Sequence, residues 1–176
     1  INKIKFLDTS PIASVSHDWL AGAELAGFYR GFRFQGEYIM NNTVRMEGLA
    51  TEKFNGFYVQ AAYLLFGGQQ RYSKSRAFSQ PSFGRSWGDI ELAARFDRID
   101  LNGTEVMGGS SNGWTFGVNY YATRNLKFQL NYSYVDNDKY ANAFGQAAVG
   151  YKSNGEIAYK PEEVDESLGK GGNAYG

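Results

Sequence analysis

The chain has 176 residues, room for one ordinary domain, and its 18 basic and 18 acidic side chains leave no bulk charge to hold a nucleic acid. The absence of cysteine excludes disulfides, thiolate metal sites and cysteine nucleophiles, and a single histidine excludes a multi-histidine metal centre. Tyr, Phe and Trp make up 16% of the chain beside 22 Gly, a mixture suited to antiparallel strands with wet loops.

Residues 1–17 read as a loop or lead-in, 18–135 as strands, and 136–176 as a long polar loop or tail. Between 21 and 134 apolar and polar residues alternate. "AGAELAGFY" (21–29) sets Ala21, Ala23, Leu25, Gly27 and Tyr29 against Gly22, Glu24, Ala26 and Phe28. After Arg30-Gly31, "FRFQGEYIM" (32–40) sets Phe32, Phe34, Gly36, Tyr38 and Met40 against Arg33, Gln35, Glu37 and Ile39. "FYVQAAYLL" (57–65) opposes Phe57, Val59, Ala61, Tyr63 and Leu65 to Tyr58, Gln60, Ala62 and Leu64. "IELAARF" (90–96) and "WTFGVNY" (114–120) follow the same rule, with Glu91, Ala93 and Arg95, then Thr115, Gly117 and Asn119, on the second face. In "LKFQLNYSY" (126–134) that face carries Lys127, Gln129, Asn131 and Ser133. Six strands are predicted.

The first faces total 28 positions without a charge, where the chain's charged fraction of 20% would place about five or six. The second faces hold Glu24, Arg33, Glu37, Glu91, Arg95 and Lys127. A soluble barrel with its apolar face inward would alternate in the same way. Three features favour a lipid-facing apolar surface instead. Tyr29, Phe32, Trp114, Tyr120 and Tyr134 stand near the strand ends, where rings park at the membrane interface. Strands of about nine residues match the 9–11 or so that cross a bilayer at a tilt. Arg30-Gly31 and 123–125 are tight, while 41–56, 102–113 and the tail are long and polar, the loop asymmetry of an outer-membrane barrel. Strand parity puts 66–89 on the tight-turn side, either as one bulky connection or with a short strand pair inside it. No stretch approaches 18 consecutive apolar residues, so no transmembrane helix is predicted. The chain starts at Ile1 with no basic region and apolar core behind it, so a secretory signal was removed or the chain is an internal piece.

In order, "FLDTSPI" (6–12), "GAELAGFYRGFRFQGEY" (22–38), "FNGFYVQAAYLL" (54–65), "IELAARFDRIDLNG" (90–103) and "WTFGVNYYATRNLKFQLNYSYV" (114–135) resemble the C-terminal half of the phosphate-selective porin O and P family, including Bacteroidetes-type outer-membrane proteins. The most specific segments are "ELAAR…DL" and "G-x-N-x-Y…N-L…NY". The resemblance implies an all-β, 16-stranded antiparallel transmembrane barrel, usually trimeric, whose water-filled lumen passes anions by diffusion. The chain departs from the family at Phe66-Gly67-Gly68, where Thr-Gly-Glu is common, and it shows neither the closing aromatic strand nor the N-terminal strands. Six strands cannot close a wide barrel and an open edge in lipid is not viable, so the chain is expected to be part of a longer polypeptide.

The lumen-lining candidates are Glu24, Arg33, Gln35, Glu37, Tyr58, Gln60, Glu91, Arg95, Asp97, Lys127, Gln129 and Asn131, with Arg30 extending the rows. Their signs balance, four negative against four positive with Arg30, and a wet lumen would let Arg33 and Arg95 both be changed to Glu without loss of folding. Against this stands the plainer reading that such residues only pair across strands. Arg71, Lys74, Arg76 and Arg85, interleaved with Tyr72 and Phe78, form either an anion-gathering or lipid-phosphate-binding connection or a solvated loop. Asp136, Asn137 and Asp138 lack the Gly turn and distal Glu of a calcium loop. His17, beside Asp18, has no signalled serine nucleophile. No enzyme and no cofactor are expected. The leading expectation is a bacterial outer-membrane porin for small solutes or anions, phosphate among them. Its partners would be the lipid bilayer, lipopolysaccharide and copies of itself in a trimer or a larger envelope complex. The alternatives are a non-channel barrel with a structural or assembly role, and a soluble ligand-binding barrel.

Overall fold

A computed structural model describes residues 7–9, 11–46, 48–73, 77–138, 140–141 and 150–158. Six long strands form one antiparallel sheet: β1 (Val15–Tyr29), β2 (Phe32–Arg45), β3 (Glu52–Leu64), β6 (Asp89–Asn102), β7 (Met107–Thr123) and β8 (Leu126–Asn137). They pair in that order, with β1 and β8 at the two edges of the described sheet. Among the described residues there are also two short pairs, β4 (Gln69–Ser73) with β5 (Ala77–Ser82), and β9 (Gly150–Tyr151) with β10 (Ile157–Ala158).

The register keeps the alternation in phase across the sheet. Leu25, Gly36, Val59, Phe96, Trp114 and Tyr134 are successive partners on the apolar face. One residue away, Ala26, Gln35, Gln60, Arg95, Thr115 and Ser133 form the matching row on the polar face. Side-chain period 2 makes such a row possible only if no strand slips by one residue. The apolar face is left open, with Leu25 68% and Leu130 75% exposed.

The strands are longer than the alternation predicts. Residues 41–45 and 52–56 belong to β2 and β3, so only 46–51 joins them, and only 103–106 joins β6 to β7. Apart from Val44 and the buried Phe54 these extensions are polar or Gly on both faces, which weakens the period-2 signal, yet the backbone ladder continues to Thr43↔Glu52 and Asn102↔Met107. Where a strand meets the same solvent on both sides, alternation stops before hydrogen bonding does. On the apolar face Arg98 and Asp100 then appear as an ion pair at 3.3 Å, just beyond the band of uncharged positions. β1 likewise starts inside the expected lead-in, and β8 and the β9–β10 pair occupy part of the expected tail. Residues 161–176 lie outside the described residues.

The expected loop asymmetry is corrected at the tight-turn end. β3 pairs directly with β6, from Asn55↔Asp100 to Leu64↔Glu91, so 65–88 returns to the end where it started. Both readings of this connection hold: it is bulky, and it contains a strand pair that stays out of the main sheet. The longest internal connection therefore shares an end with Arg30-Gly31 and Arg124-Asn125. Arg30 takes the left-handed conformation there (φ 52°). Gly31 permits a close approach, because a Cβ would stand 3.1 Å from the carbonyl oxygens of both Leu64 and Gly68.

Candidate functional site

The mid-strand part of the polar face is a relay of side chains across neighbouring strands. Gln35 Nε2 donates to Glu24 Oε1 at 2.7 Å and to the Tyr58 hydroxyl at 3.0 Å. Gln60 Nε2 donates to Gln35 Oε1 at 3.1 Å, and Gln60 Oε1 accepts from Arg95 Nη1 at 3.5 Å. Arg95 Nε reaches Asp97 Oδ1 at 3.1 Å, while its guanidinium carbon stands 4.1 Å from the Tyr58 ring centroid. Each glutamine amide donates at one atom and accepts at the other, so the relay runs from a carboxylate to a guanidinium without mismatched ends. Glu37 lies opposite Glu24 and Tyr58 in register, and two facing carboxylates repel unless water screens them.

Nearer the tight turns the same face closes over. Glu91 is fully buried. Its Oε1 accepts from Arg33 Nη2 (3.1 Å), Asn119 Nδ2 (2.9 Å) and the Tyr121 hydroxyl (3.2 Å), and its Oε2 accepts from Gln70 Nε2 (2.8 Å). Gln129 Nε2 donates in turn to Asn119 Oδ1 at 2.8 Å. A dry carboxylate persists only with a counter-charge and filled lone pairs, and this one has both.

The cover is the β4–β5 hairpin. Tyr72 and Phe78 pack against Phe28 with ring centroids 6.3 Å away, and the Arg33 guanidinium sits 5.5 Å from the Phe78 centroid. Gln70 N donates to Arg30 O at 2.7 Å, and Gln80 Nε2 donates to Arg124 O at 2.9 Å, so the hairpin straps the face from one tight turn to the other. Asp89, also fully buried, ties both ends of the strap: its oxygens accept from Phe66 N, Gly68 N and Gly84 N at 3.0, 2.8 and 3.0 Å. The connection is thus not simply a solvated loop, although Arg71 and Arg85 are exposed. Lys74 and Arg76 lie outside the described residues.

The sequence-predicted residues sort accordingly. Glu24, Gln35, Tyr58, Gln60, Arg95 and Asp97 meet in the relay. Arg33, Glu91 and Gln129 join the buried cluster, and Lys127 Nζ lies 4.8 Å from the Tyr121 ring centroid at its edge. Asn131 shares a row with Gly117. Tyr29, Phe32 and Tyr120 ring the tight-turn end of the apolar face, and Trp114 and Tyr134 the other end. Gln70, Asp89, Asn119 and Tyr121 were missed. Asn119 already stood on the polar face of the 114–120 alternation and Tyr121 follows from continuing it, whereas Gln70 and Asp89 carry no periodic signal. Glu52 was missed too: buried at the far end, it accepts from Thr104 N at 2.6 Å and pairs with Arg45 at 3.4 Å, which pins the 103–106 turn. His17 is exposed beside its chain neighbour Ser16, with Nδ1 3.3 Å from the hydroxyl. The Asp138 carboxylate is taken up by Asn102, Ser110 and the backbone N–H groups of Tyr140 and Ala141.

Comparison with known proteins places the chain beside a family and a relative. The family model described as phosphate-selective porin O and P matches residues 1–155. An uncharacterized protein of Caulobacter vibrioides is 33% identical over 88 residues, covering 47% of this chain and 18% of that protein's length.

Proposed function

The chain belongs to the phosphate-selective porin O and P family, and from that membership we propose that its sheet is a section of the wall of an outer-membrane porin that passes small solutes or anions by diffusion. The observation that carries this reading is the opposition of the two faces: an open, uncharged apolar surface on one side and the charged relay on the other. A barrel with lipid outside and water inside satisfies both faces at once. The aromatic rings at both ends of the apolar face suit the bilayer interface and contact with lipopolysaccharide, and the family's trimeric habit suggests copies of the chain as partners. Glu24, Glu37, Glu91 and Asp97 stand against Arg33, Arg95 and Lys127, so this section alone sets no strong preference for phosphate or any other anion. The strap across the polar face favours one second reading, a non-channel barrel with an assembly role.

Conductance of the full-length protein in planar bilayers separates the two. The exchange of both Arg33 and Arg95 for Glu is not a clean probe, because Arg33 is the counter-charge of the buried Glu91. Arg95 is 40% exposed at its side chain and gives the better test. Arg95→Glu lowers the lumen charge by two units, so the barrel should stay folded while its ion preference moves toward cations. Unfolding of this variant, or a silent wild type, favours the assembly reading.

The side assignment is checked separately. These 176 residues contribute no cysteine, so single cysteines placed among them, with any cysteine elsewhere in the full-length protein replaced, report on the two sides. Ala50→Cys and Thr104→Cys should react with an impermeant maleimide on intact cells, and Ser86→Cys and Arg124→Cys only after the outer membrane is opened. The reverse pattern would invert the barrel.

A further inference from the structure

Three adjacent strands present almost no side chain at one level of the polar face. Ala62, Ala93 and Gly117 are successive partners in register, and together they leave a dent in the wall. Arg33 continues the row on one side and Asn131 on the other. The neighbouring row, Gln35, Gln60, Arg95 and Thr115, forms one rim, and Phe78 of the hairpin overhangs the opposite side. The result is a hollow of about 160 Å³.

Its chemistry is asymmetric. Arg33 and Arg95 are the charged side chains that line it, and their acidic partners Glu91 and Asp97 do not. Among the described residues Arg33 Nε is buried without a hydrogen-bond partner, although the far end of the same guanidinium is satisfied by Glu91. The Gln60 amide keeps one N–H beside the one it gives to Gln35, while the floor is methyl groups and backbone and the overhang is a ring.

We propose that this recess binds a small organic carboxylate with a flat apolar body, the carboxylate lying between Arg33 and Arg95 and the ring between Phe78 and the Ala93 floor. The assignment rests on the reading of the polar face as a lumen surface. Planar guanidinium groups match the two oxygens of a carboxylate. A cavity of about 150 Å³ accommodates one benzene ring, so the size fits a single six-membered ring. Inorganic phosphate fits worse, because the methyl floor and the Phe78 ring would strip water from a dianion on two sides and return no hydrogen bond.

Isothermal titration calorimetry on the folded full-length protein in detergent tests the site without relying on conduction. Benzoate should bind at least about tenfold more tightly than inorganic phosphate or the neutral benzamide, a difference of about 1.4 kcal/mol. Ala93→Leu should abolish benzoate binding by filling the floor. Arg95→Gln, which adds no volume, should weaken it about tenfold, and it decides the matter alone if Ala93→Leu does not fold. Phosphate binding as tight as benzoate, or unchanged affinity in either folded variant, overturns the proposal. Conductance measured in parallel keeps the two readings apart: a conducting barrel without benzoate preference refutes the recess, and benzoate binding by a silent barrel refutes only the porin.

Discussion

Glu91→Ala is expected to destabilise the folded barrel by about 3–5 kcal/mol, the cost of leaving one member of a buried ion pair alone. The wild-type carboxylate collects Arg33, Asn119 and Tyr121 from the sheet and Gln70 from the strap. Truncation takes this acceptor from all four donors in a place water reaches poorly, leaving Gln70 its bond to Gly31 O, and the guanidinium is the costliest of them. Gln70 makes the effect legible beyond a stability number. It is the strap's link to this cluster, so its loss should also speed tryptic cleavage after Arg71 and Arg85 in the otherwise folded barrel. Glu91→Gln keeps an acceptor and similar volume, and should fall between. Urea titration in lipid, with trypsin added below the unfolding transition, measures both effects. Wild-type stability and unchanged cleavage in Glu91→Ala would mean that the cluster merely occupies space.

Leu92→Arg is the second large effect. Leu92 is the next residue in β6, but its side chain emerges on the apolar face, where it is 45% exposed between Tyr63 and Val118. Nine residues of β8, Leu126 to Tyr134, run about 27 Å at 3.4 Å per residue. A tilt of about 40° makes that roughly 21 Å of membrane depth. Leu92 falls within this band, so an arginine there should cost about 2–4 kcal/mol of insertion free energy. The control is Ser133→Arg, on the polar face and exposed, which should insert normally. Heat-modifiable migration of the two variants reads the comparison directly: equal insertion would mean that Leu92 does not face lipid, and failure of Ser133→Arg alone would mean that the faces are reversed.

How much of this was legible in the sequence depends on what each residue borders. Mid-strand residues such as Leu92 and Glu91 separate lipid from lumen, and that contrast writes the alternation that fixes strand phase and face. At Asn41-Asn42-Thr43 polar side chains fall on both faces, Asn42 and Thr43 buried among neighbours rather than facing lipid, so the strand continues unseen. Gln70 and Asp89 belong to a different class: their partners are backbone N–H groups and carboxylates brought together by the return of β3 to β6. Nothing local marks a glutamine that will reach a glutamate 21 residues onward. The dent at Ala62, Ala93 and Gly117 was equally hidden. Each is an ordinary small residue in its own strand, and only register sets them side by side.

The separation of β3 from β6 also bears on the order in which the sheet assembles. Every other neighbouring pair is joined by two to six residues, whereas 24 lie between Leu64 and Asp89. Closing 24 residues rather than two costs about 2 kcal/mol more in chain entropy. The three strands before that gap and the three after it can each zip locally, and their union is the step with least local help. The Asp89 carboxylate lowers that barrier once formed, because its bonds to Phe66, Gly68 and Gly84 draw the two ends of the gap together. A side chain that looks like a simple loop anchor in the finished wall is thus placed to seed the seam between two halves that arrive separately.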